Sequence, residues 1–570
     1  MSRPPVVALA LAALGACDPA EAPEDASLPL RVVELAPQSI DEQERLAIEI
    51  QTEGGSAAPR VFVEGLPPGA VWDETSRTLA FVPDFLQGGR RWTVAITADD
   101  GATRARGSVE IAANDTIRPP TPEVTARTAM SGYEQLTLTQ RTDTYLDSPG
   151  NAGRTFTARV MVPAGAADAE TFPVRIFLHG FGTSSPGGTG STRELRIFPH
   201  DPSNTYWWGY ATEPGAASGA VPEYTARRVL NLLAWVLATY PQADPARVVI
   251  DGGSMGGAGA MTIGLLHARH FAHVRALYGQ AIPKNHRPAR ITQLQQLWGT
   301  PALDLDDGNG MGVWTRMDLT RALRDDPEAR DQFLTLKHSK DDATIHFGAV
   351  SMPSALTQRA LYPALQEHHI GHAAIWDEGG HGDPDPVLGT SWWSNAWDPI
   401  VGDLRRDRAF PAFTNASIDR DWGTGQGNGL RPYSPDRGYA GTVSVVGDTG
   451  WDGDRAGAIN RFLRWDAIGI VDTTDRFEIP LRVLDGEGGP PPRPGDPTTG
   501  DRLDGTLPVI VDVTPRRVQA FRCVPGETIA WSFRDQQGLV TADASGAVTV
   551  PALAVDTAWA TLVLTRTGGD

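Results

Sequence analysis

The chain is 570 residues long, with 41% hydrophobic and 21% charged residues and a formal net charge of −19. That length exceeds a single core and calls for several domains. The composition is that of globular protein, and the acidic balance disfavours nucleic acid and anionic surfaces as partners. Only three lysines occur, Lys284, Lys337 and Lys340, so nearly all the positive charge is arginine, and no stripe gathers it.

Residues 1–27 read as an export signal and tether. Arg3 supplies a charge, residues 6–14 an apolar run, and Leu14-Gly15-Ala16-Cys17 a small-residue cleavage site. The run is too short to span a bilayer as a lasting helix. Leu-Gly-Ala-Cys resembles the lipobox of bacterial lipoproteins, which implies cleavage before Cys17, acylation of its thiol and a membrane-anchored protein, periplasmic or on the cell surface. Simple secretion is the alternative. Cys523 is the other cysteine of the chain. It then has no partner for a disulfide, and its apolar neighbours suit a small buried hydrophobe.

Residues 28–115 alternate short strand patterns with turn signals. Arg60-Val61-Phe62-Val63 and Trp92-Thr93-Val94-Ala95-Ile96-Thr97 are strand-like, and Gly65-Leu66-Pro67-Pro68-Gly69-Ala70 is a turn cluster before Thr78-Leu79-Ala80-Phe81-Val82-Pro83. The pattern resembles the Ig-like, cadherin-like modules of bacterial surface proteins, which implies a β-sandwich acting as spacer or adhesion module. A Pro-rich linker at 116–123 follows.

All twelve histidines fall between His179 and His381, which marks 124–402 as the chemically distinct part of the chain. Phe172-Pro173-Val174-Arg175-Ile176-Phe177-Leu178 is a nearly continuous apolar run suited to a buried parallel strand. His179-Gly180-Phe181-Gly182 stands at its end, where glycines allow a tight turn and the Phe181 N–H is the candidate to face a developing oxyanion. Residues 224–240 carry helical apolar spacing, and Arg247-Val248-Val249-Ile250-Asp251 reads as a short buried strand. Gly252-Gly253-Ser254-Met255-Gly256-Gly257 then places Ser254 on a strand–turn–helix elbow, with the Met255 N–H as second oxyanion donor.

Further along, Phe333-Leu334-Thr335-Leu336-Lys337 predicts a strand followed by the acidic pair Asp341-Asp342. The stretch resembles the Gly-x-x-Asp-x-x-Val segment in which related hydrolases place the acid that orients the histidine; that resemblance implies Asp342, the closest register, with Asp341 as its alternative. Ala373-Ala374-Ile375-Trp376 predicts another strand, leading to His381 between Gly380 and Gly382, the candidate general base. His338, His346, His368, His369 and His372 compete with it. Two insertions, 185–210 with Tyr206-Trp207-Trp208 and 279–317 with Asp304 to Gly310, are expected to shape the pocket. The acidic loop resembles a calcium loop only faintly, with glycine at the third ligand position, so no metal and no cofactor are assigned. Residues 403–570 alternate strand patterns with Gly/Pro-rich loops and predict a C-terminal β-sandwich-like domain.

Oxyanion loop, serine elbow and histidine, in that order, are what α/β-hydrolases need. Asp244-Pro245-Ala246-Arg247-Val248 leading into Gly-x-Ser-Met-Gly-Gly resembles secreted esterases of the polyhydroxyalkanoate depolymerase and feruloyl esterase type. Gly253 departs from it, standing where those families often carry a bulkier residue. The expectation is a multidomain chain: an α/β-hydrolase core with a mostly parallel, doubly wound sheet, flanked by an Ig-like β-sandwich and a C-terminal all-β domain. Its expected activity is carboxylic ester hydrolysis by Ser254, His381 and Asp342. The resemblance implies a polyester or acylated polysaccharide as substrate. A serine peptidase and a non-catalytic surface adhesin are the alternatives, and the oligomeric state is open.

Overall fold

The computed structural model describes residues 28–55, 58–67, 70–83, 87–116, 120–142, 153–165, 171–308, 310–339, 342, 344–377, 380–382, 404–419, 457–484 and 507–567. The expected leader with Cys17, positions 117–119 of the linker, Asp341 and positions 378–379 lie outside these residues. The chain divides into two compact units, one ending at Asn114 and the other beginning at Asp115.

The first unit is built from sheets alone among its described residues. Arg91–Asp99 pairs antiparallel with Arg104–Asn114 and with Arg60–Glu64, and Gln38–Asp41 runs parallel to the end of Arg104–Asn114. A second sheet joins Leu46–Glu49, Thr78–Phe81 and Val71–Asp73. Strict alternation in these strands sends Val94, Ile96, Val109 and Ile111 inward from one sheet and Ile48, Leu79 and Phe81 from the other.

The second unit is organised on one ten-stranded sheet. In chain order its strands are β1 (Glu123–Met130), β2 (Tyr133–Arg141), β3 (Thr155–Pro163), β4 (Phe172–Leu178), β5 (Leu195–Phe198), β6 (Ala243–Gly253), β7 (His273–Leu277), β8 (Phe333–Ser339), β9 (Gly371–Asp377) and β10 (Gly457–Ile459). Across the sheet they lie in the order β1-β2-β3-β5-β4-β6-β7-β8-β9-β10. From β5 to β9 every pairing is parallel, while β1 to β3 and β10 pair antiparallel. Val174, Ile176, Val248, Ile250, Val274, Ala276 and Leu334 are fully buried, as central strands covered on both faces require. The helix α1 (Tyr224–Thr239) follows the predicted periodicity, and α2 (Met255–Leu266) packs on β4, β6 and β7.

The strand order reverses at β4, because β5 lies on one side of it and β6 on the other. In open α/β sheets the crevice beyond the carboxyl ends of strands at such a reversal is where ligands bind. His179 to Gly182 leave the end of β4 and Ser254 leaves the end of β6, so topology alone brings the two loops together.

The segment expected as a separate C-terminal domain shares a core with this sheet. Phe410–Thr414, Val509–Arg516 and Val550–Val555 form one small sheet, and a second runs through Leu463–Trp465, Arg476–Val483, Ala560–Arg566, Thr528–Phe533 and Gln536–Thr541. Their apolar faces bury Phe410, Phe477, Val511 and Leu562 in one cluster with Phe333, Ala373 and Ile375 of β8 and β9. β10 belongs to this C-terminal segment and extends the central sheet by pairing with β9. Arg517 donates to the backbone oxygens of Ala272, Asp331 and Arg405, pinning the two parts together. Residues 115–570 therefore form one compact unit, with no core boundary at 402/403.

Candidate active site

Ser254 stands between β6 and α2 with φ 60° and ψ −124°, a left-handed conformation that a non-glycine residue holds only when its surroundings enforce it. What enforces it is backbone packing. A Cβ on Gly256 would lie 2.0 Å from the Leu178 carbonyl oxygen, and one on Gly252 would lie 2.2 Å from that of Gly256. The Ser254 N–H donates to the Leu277 carbonyl at the end of β7 (2.8 Å). Gly253 is different: a Cβ there would meet nothing nearer than the Leu277 Cβ at 4.0 Å, so the departure noted in the motif is one the fold has room to fill.

His381 lies beside Ser254, and its Nε2 is 2.8 Å from the serine Oγ. The other ring nitrogen, Nδ1, is 2.6 Å from Oδ2 of Asp342. Asp342 is 1% exposed, and its Oδ1 accepts the N–H groups of Thr344 (2.7 Å) and Ile345 (2.8 Å). With one oxygen bound to its own loop and the other to the imidazole, the carboxylate is fixed in position and directs the His381 Nδ1 proton toward itself. Tyr278, the first residue after β7, has φ 53° and packs its ring edge-on to the imidazole at 5.7 Å.

The competing histidines are occupied elsewhere. His338 bonds to the Tyr362 hydroxyl and the Gly279 carbonyl, and burial pushes it down to about 4. His372 and His346 are likewise pushed down to about 4 by burial. His369 Nδ1 is 3.2 Å from the Thr414 hydroxyl, and burial lowers the pKa of both His368 and His369, whose backbone oxygens receive Arg516 of the C-terminal segment.

The loop after β4 closes over the serine. A Cβ on Gly180 would stand 3.8 Å from the Ser254 Cβ. The Asp201 N–H donates to Nε2 of His179 (2.9 Å), so the His179 proton resides on Nδ1 and is donated to the Gly180 carbonyl (2.8 Å). Burial lowers the His179 pKa, in keeping with a neutral ring. The Thr183 hydroxyl donates to the same carbonyl (3.1 Å). A planar peptide points its C=O and N–H in opposite directions, so anchoring the Gly180 oxygen leaves the Phe181 N–H on the opposite side of that peptide. Met255 opens α2, and the N–H groups of a helix's first turn have no partner within the helix. The elbow thus couples two candidate donors to the positive end of α2.

The aromatic and acidic stretches singled out in the insertions are engaged in packing and local hydrogen bonds. Tyr206, Trp207 and Trp208 are buried in the core. Positions 186–189 line a cavity of about 280 Å³ with Phe177, Arg196 and Phe198, which meets the site only at His179. In the acidic loop, Asp304 accepts the Trp314 N–H and the Thr315 hydroxyl and Asp307 pairs with Arg316. Among the described residues no cluster of His, Cys, Asp or Glu is arranged to hold a metal ion. Cys523 is half-buried and its thiol is pushed up to about 11, chiefly by burial. Sequence reasoning did not single out Tyr278, nor Arg287 and Arg290, which lie near the oxyanion loop. The only signal for them was the insertion that contains them.

An esterase family model matches this region. The model, described as "Putative esterase", covers residues 150–370, the segment from the approach to β3 through β8. No curated protein matches the chain. Among solved structures, an S-formylglutathione hydrolase from Agrobacterium tumefaciens is similar at 19% identity and TM-score 0.32, over 45% of this chain and 92% of that one. A ferulic acid esterase is similar at 16% identity and TM-score 0.32, over 47% of this chain and 96% of that one. The fluorophosphonate-binding serine hydrolase FphF of Staphylococcus aureus shares 13% identity, with TM-score 0.32, over 48% and 98% of the two chains. At these values the likenesses say nothing of the substrate. The matched family and the topology of β2 to β9 agree on an esterase-type α/β-hydrolase core.

Proposed function

We propose that the chain is an exported serine hydrolase that cleaves carboxylic esters through an acyl-enzyme. The observation that carries the reading is the unbroken hydrogen-bond chain from Asp342 through His381 to Ser254, on an elbow beneath the β4 loop. Ser254 Oγ attacks the ester carbonyl carbon while His381 Nε2 takes its proton. Asp342 holds the imidazole tautomer and stabilises the imidazolium as it forms. The negative charge on the former carbonyl oxygen is met by the Phe181 and Met255 N–H groups. Collapse expels the alcohol, which takes the proton back from Nε2. Water, deprotonated by the same histidine, then attacks the acyl-enzyme and frees the acid and Ser254.

The motif resemblance favours a polyester or an acylated polysaccharide as substrate. The 28–115 module is read as an Ig-like spacer, and Cys17 as a lipid anchor holding the enzyme at the cell envelope. The test is hydrolysis of short-chain p-nitrophenyl esters beside peptide p-nitroanilides, by the parent and by Ser254→Ala. Ester turnover that vanishes in the variant supports the reading. Cleavage of peptides in preference to esters favours the peptidase, and turnover of neither by folded protein favours the adhesin.

A further inference from the structure

The segment after β7 touches the site at both ends. It begins with Tyr278 against His381, and at the start of α3 (Pro288–Trp298) it carries Arg287 and Arg290. The Arg290 guanidinium carbon lies 5.6 Å from the centroid of the Phe181 ring and 5.4 Å from that of Tyr206. Phe181 belongs to the loop whose Gly180 lies over Ser254.

Among the described residues, these two arginines have neither a carboxylate partner nor a backbone carbonyl to receive them. Other enclosed arginines of the unit meet carboxylates, as Arg175 does Glu194 and Asp251, Arg275 Asp251 and Arg316 Asp307, or backbone oxygens, as Arg228, Arg464, Arg516 and Arg517 do. Arg290 is only 7% exposed, yet the side chains it bonds among the described residues, Gln293 and the Tyr206 hydroxyl, are both neutral, and its Nε is buried without a partner. Arg287 is half-buried, and its Nε is also buried without a partner. The positive charge of Arg290 adds to burial in lowering the Arg287 pKa. The carboxylate whose field reaches Arg287 is Asp342, already committed to His381 and its own loop. Keeping two neighbouring guanidinium groups partly buried with no carboxylate of their own is costly. The groups are suited to receiving a carboxylate or phosphate through charge-assisted, forked hydrogen bonds.

We propose that Arg287 and Arg290 bind an anionic group, a carboxylate or phosphate, carried by the ester substrate close to its scissile bond. The proposal rests on the ester-hydrolase reading and narrows its substrate class to esters with a nearby negative charge.

Its test uses matched pairs of esters on the full chain. Mono-p-nitrophenyl glutarate against p-nitrophenyl butyrate places a carboxylate on the acyl side. On the alcohol side, 4-acetoxybenzoate against its methyl ester places a carboxylate, and 4-acetoxyphenyl phosphate places a phosphate. The readout is the anionic-to-neutral ratio of kcat/KM in the parent, Arg287→Gln, Arg290→Gln and Arg290→Lys, so that intrinsic ester reactivity cancels. The expected result is a fall in that ratio of at least about tenfold in both Gln variants for one of the arms, with Arg290→Lys falling less. The arm that responds names the anion and its side. An unchanged ratio in every arm, or equal losses on anionic and neutral esters, would overturn the proposal. Arg287, being partly exposed, keeps the test available should Arg290→Gln fail to fold. A parent that turns over no ester at all would instead remove the esterase reading, and this inference with it.

Discussion

Asp342 shows how one side chain can serve its loop and its neighbour with different oxygens. Oδ1 accepts two backbone N–H groups and Oδ2 faces His381. Asp342→Asn keeps an oxygen for the loop but offers an NH₂ group, or a neutral oxygen, to the imidazole. The fold should survive while the histidine loses the charge that fixes its tautomer. On that account kcat falls by about 10³- to 10⁴-fold at an unchanged melting temperature, whereas Asp341→Asn changes kcat less than about threefold. Ester kinetics and thermal melts of both variants check this. A loss confined to Asp341→Asn would move the acid by one position. At this scale the sequence was informative where chemistry and backbone geometry coincide: Ser254, His381 and Asp342 each stood in a motif. Arg287 and Arg290 did not, because an unpaired arginine looks like any other until its surroundings are known.

At the scale of elements, the strands of the central sheet were legible because parallel strands buried on both faces read as apolar runs, as at 172–178 and 247–251. The helix at 224–240 was legible from its one-sided spacing. α2 is buried on all sides, so its periodicity is faint and the elbow before it was the better signal. β10, three residues long, carries no pattern of its own, and only pairing with β9 makes it a strand. The elbow itself makes a prediction. Gly256→Ala drives a methyl group into the Leu178 carbonyl, an overpacking worth about 1–3 kcal/mol, and should lower the melting temperature by several degrees. Gly253→Ala has room and should melt within about a degree of the parent. Calorimetry of the pair checks the elbow packing, and equal melting temperatures would contradict it.

For the whole molecule, the sequence separated the 28–115 module, whose alternating strands close their own core, from the rest. It could not reveal that the C-terminal strands share a core with β8 and β9, since that depends on Phe333 and Ile375 meeting residues far along the chain, such as Phe410 and Trp465. The same compact unit holds every histidine, and burial sets its response to acid. His338, His346 and His372 are held down to about 4, and His273 and His286 are held well below their usual value. Between the ordinary histidine value of about 6.5 and the folded values, the unfolded chain binds more protons than the folded one. Stability contributed by these neutral histidines is thus full above about pH 6.5 and lost as pH falls toward 4. Asp419, pushed up to about 7 by burial, and Asp201 and Asp326, also raised by burial, act in the opposite sense, but the five histidines outnumber them. Urea unfolding monitored by tryptophan fluorescence should show a midpoint that declines steadily from pH 6.5 to 4.5. A flat or rising midpoint would contradict the buried, neutral assignment.

All of this converges on one serine held beside one imidazole. The measurement that tests it most directly is the intact mass of the folded protein after exposure to a fluorophosphonate, with Ser254→Ala alongside. The account predicts a single adduct on the parent, mapped by peptide analysis to Ser254, and none on the variant. An unlabelled, folded parent, or an adduct that persists in Ser254→Ala, would contradict it.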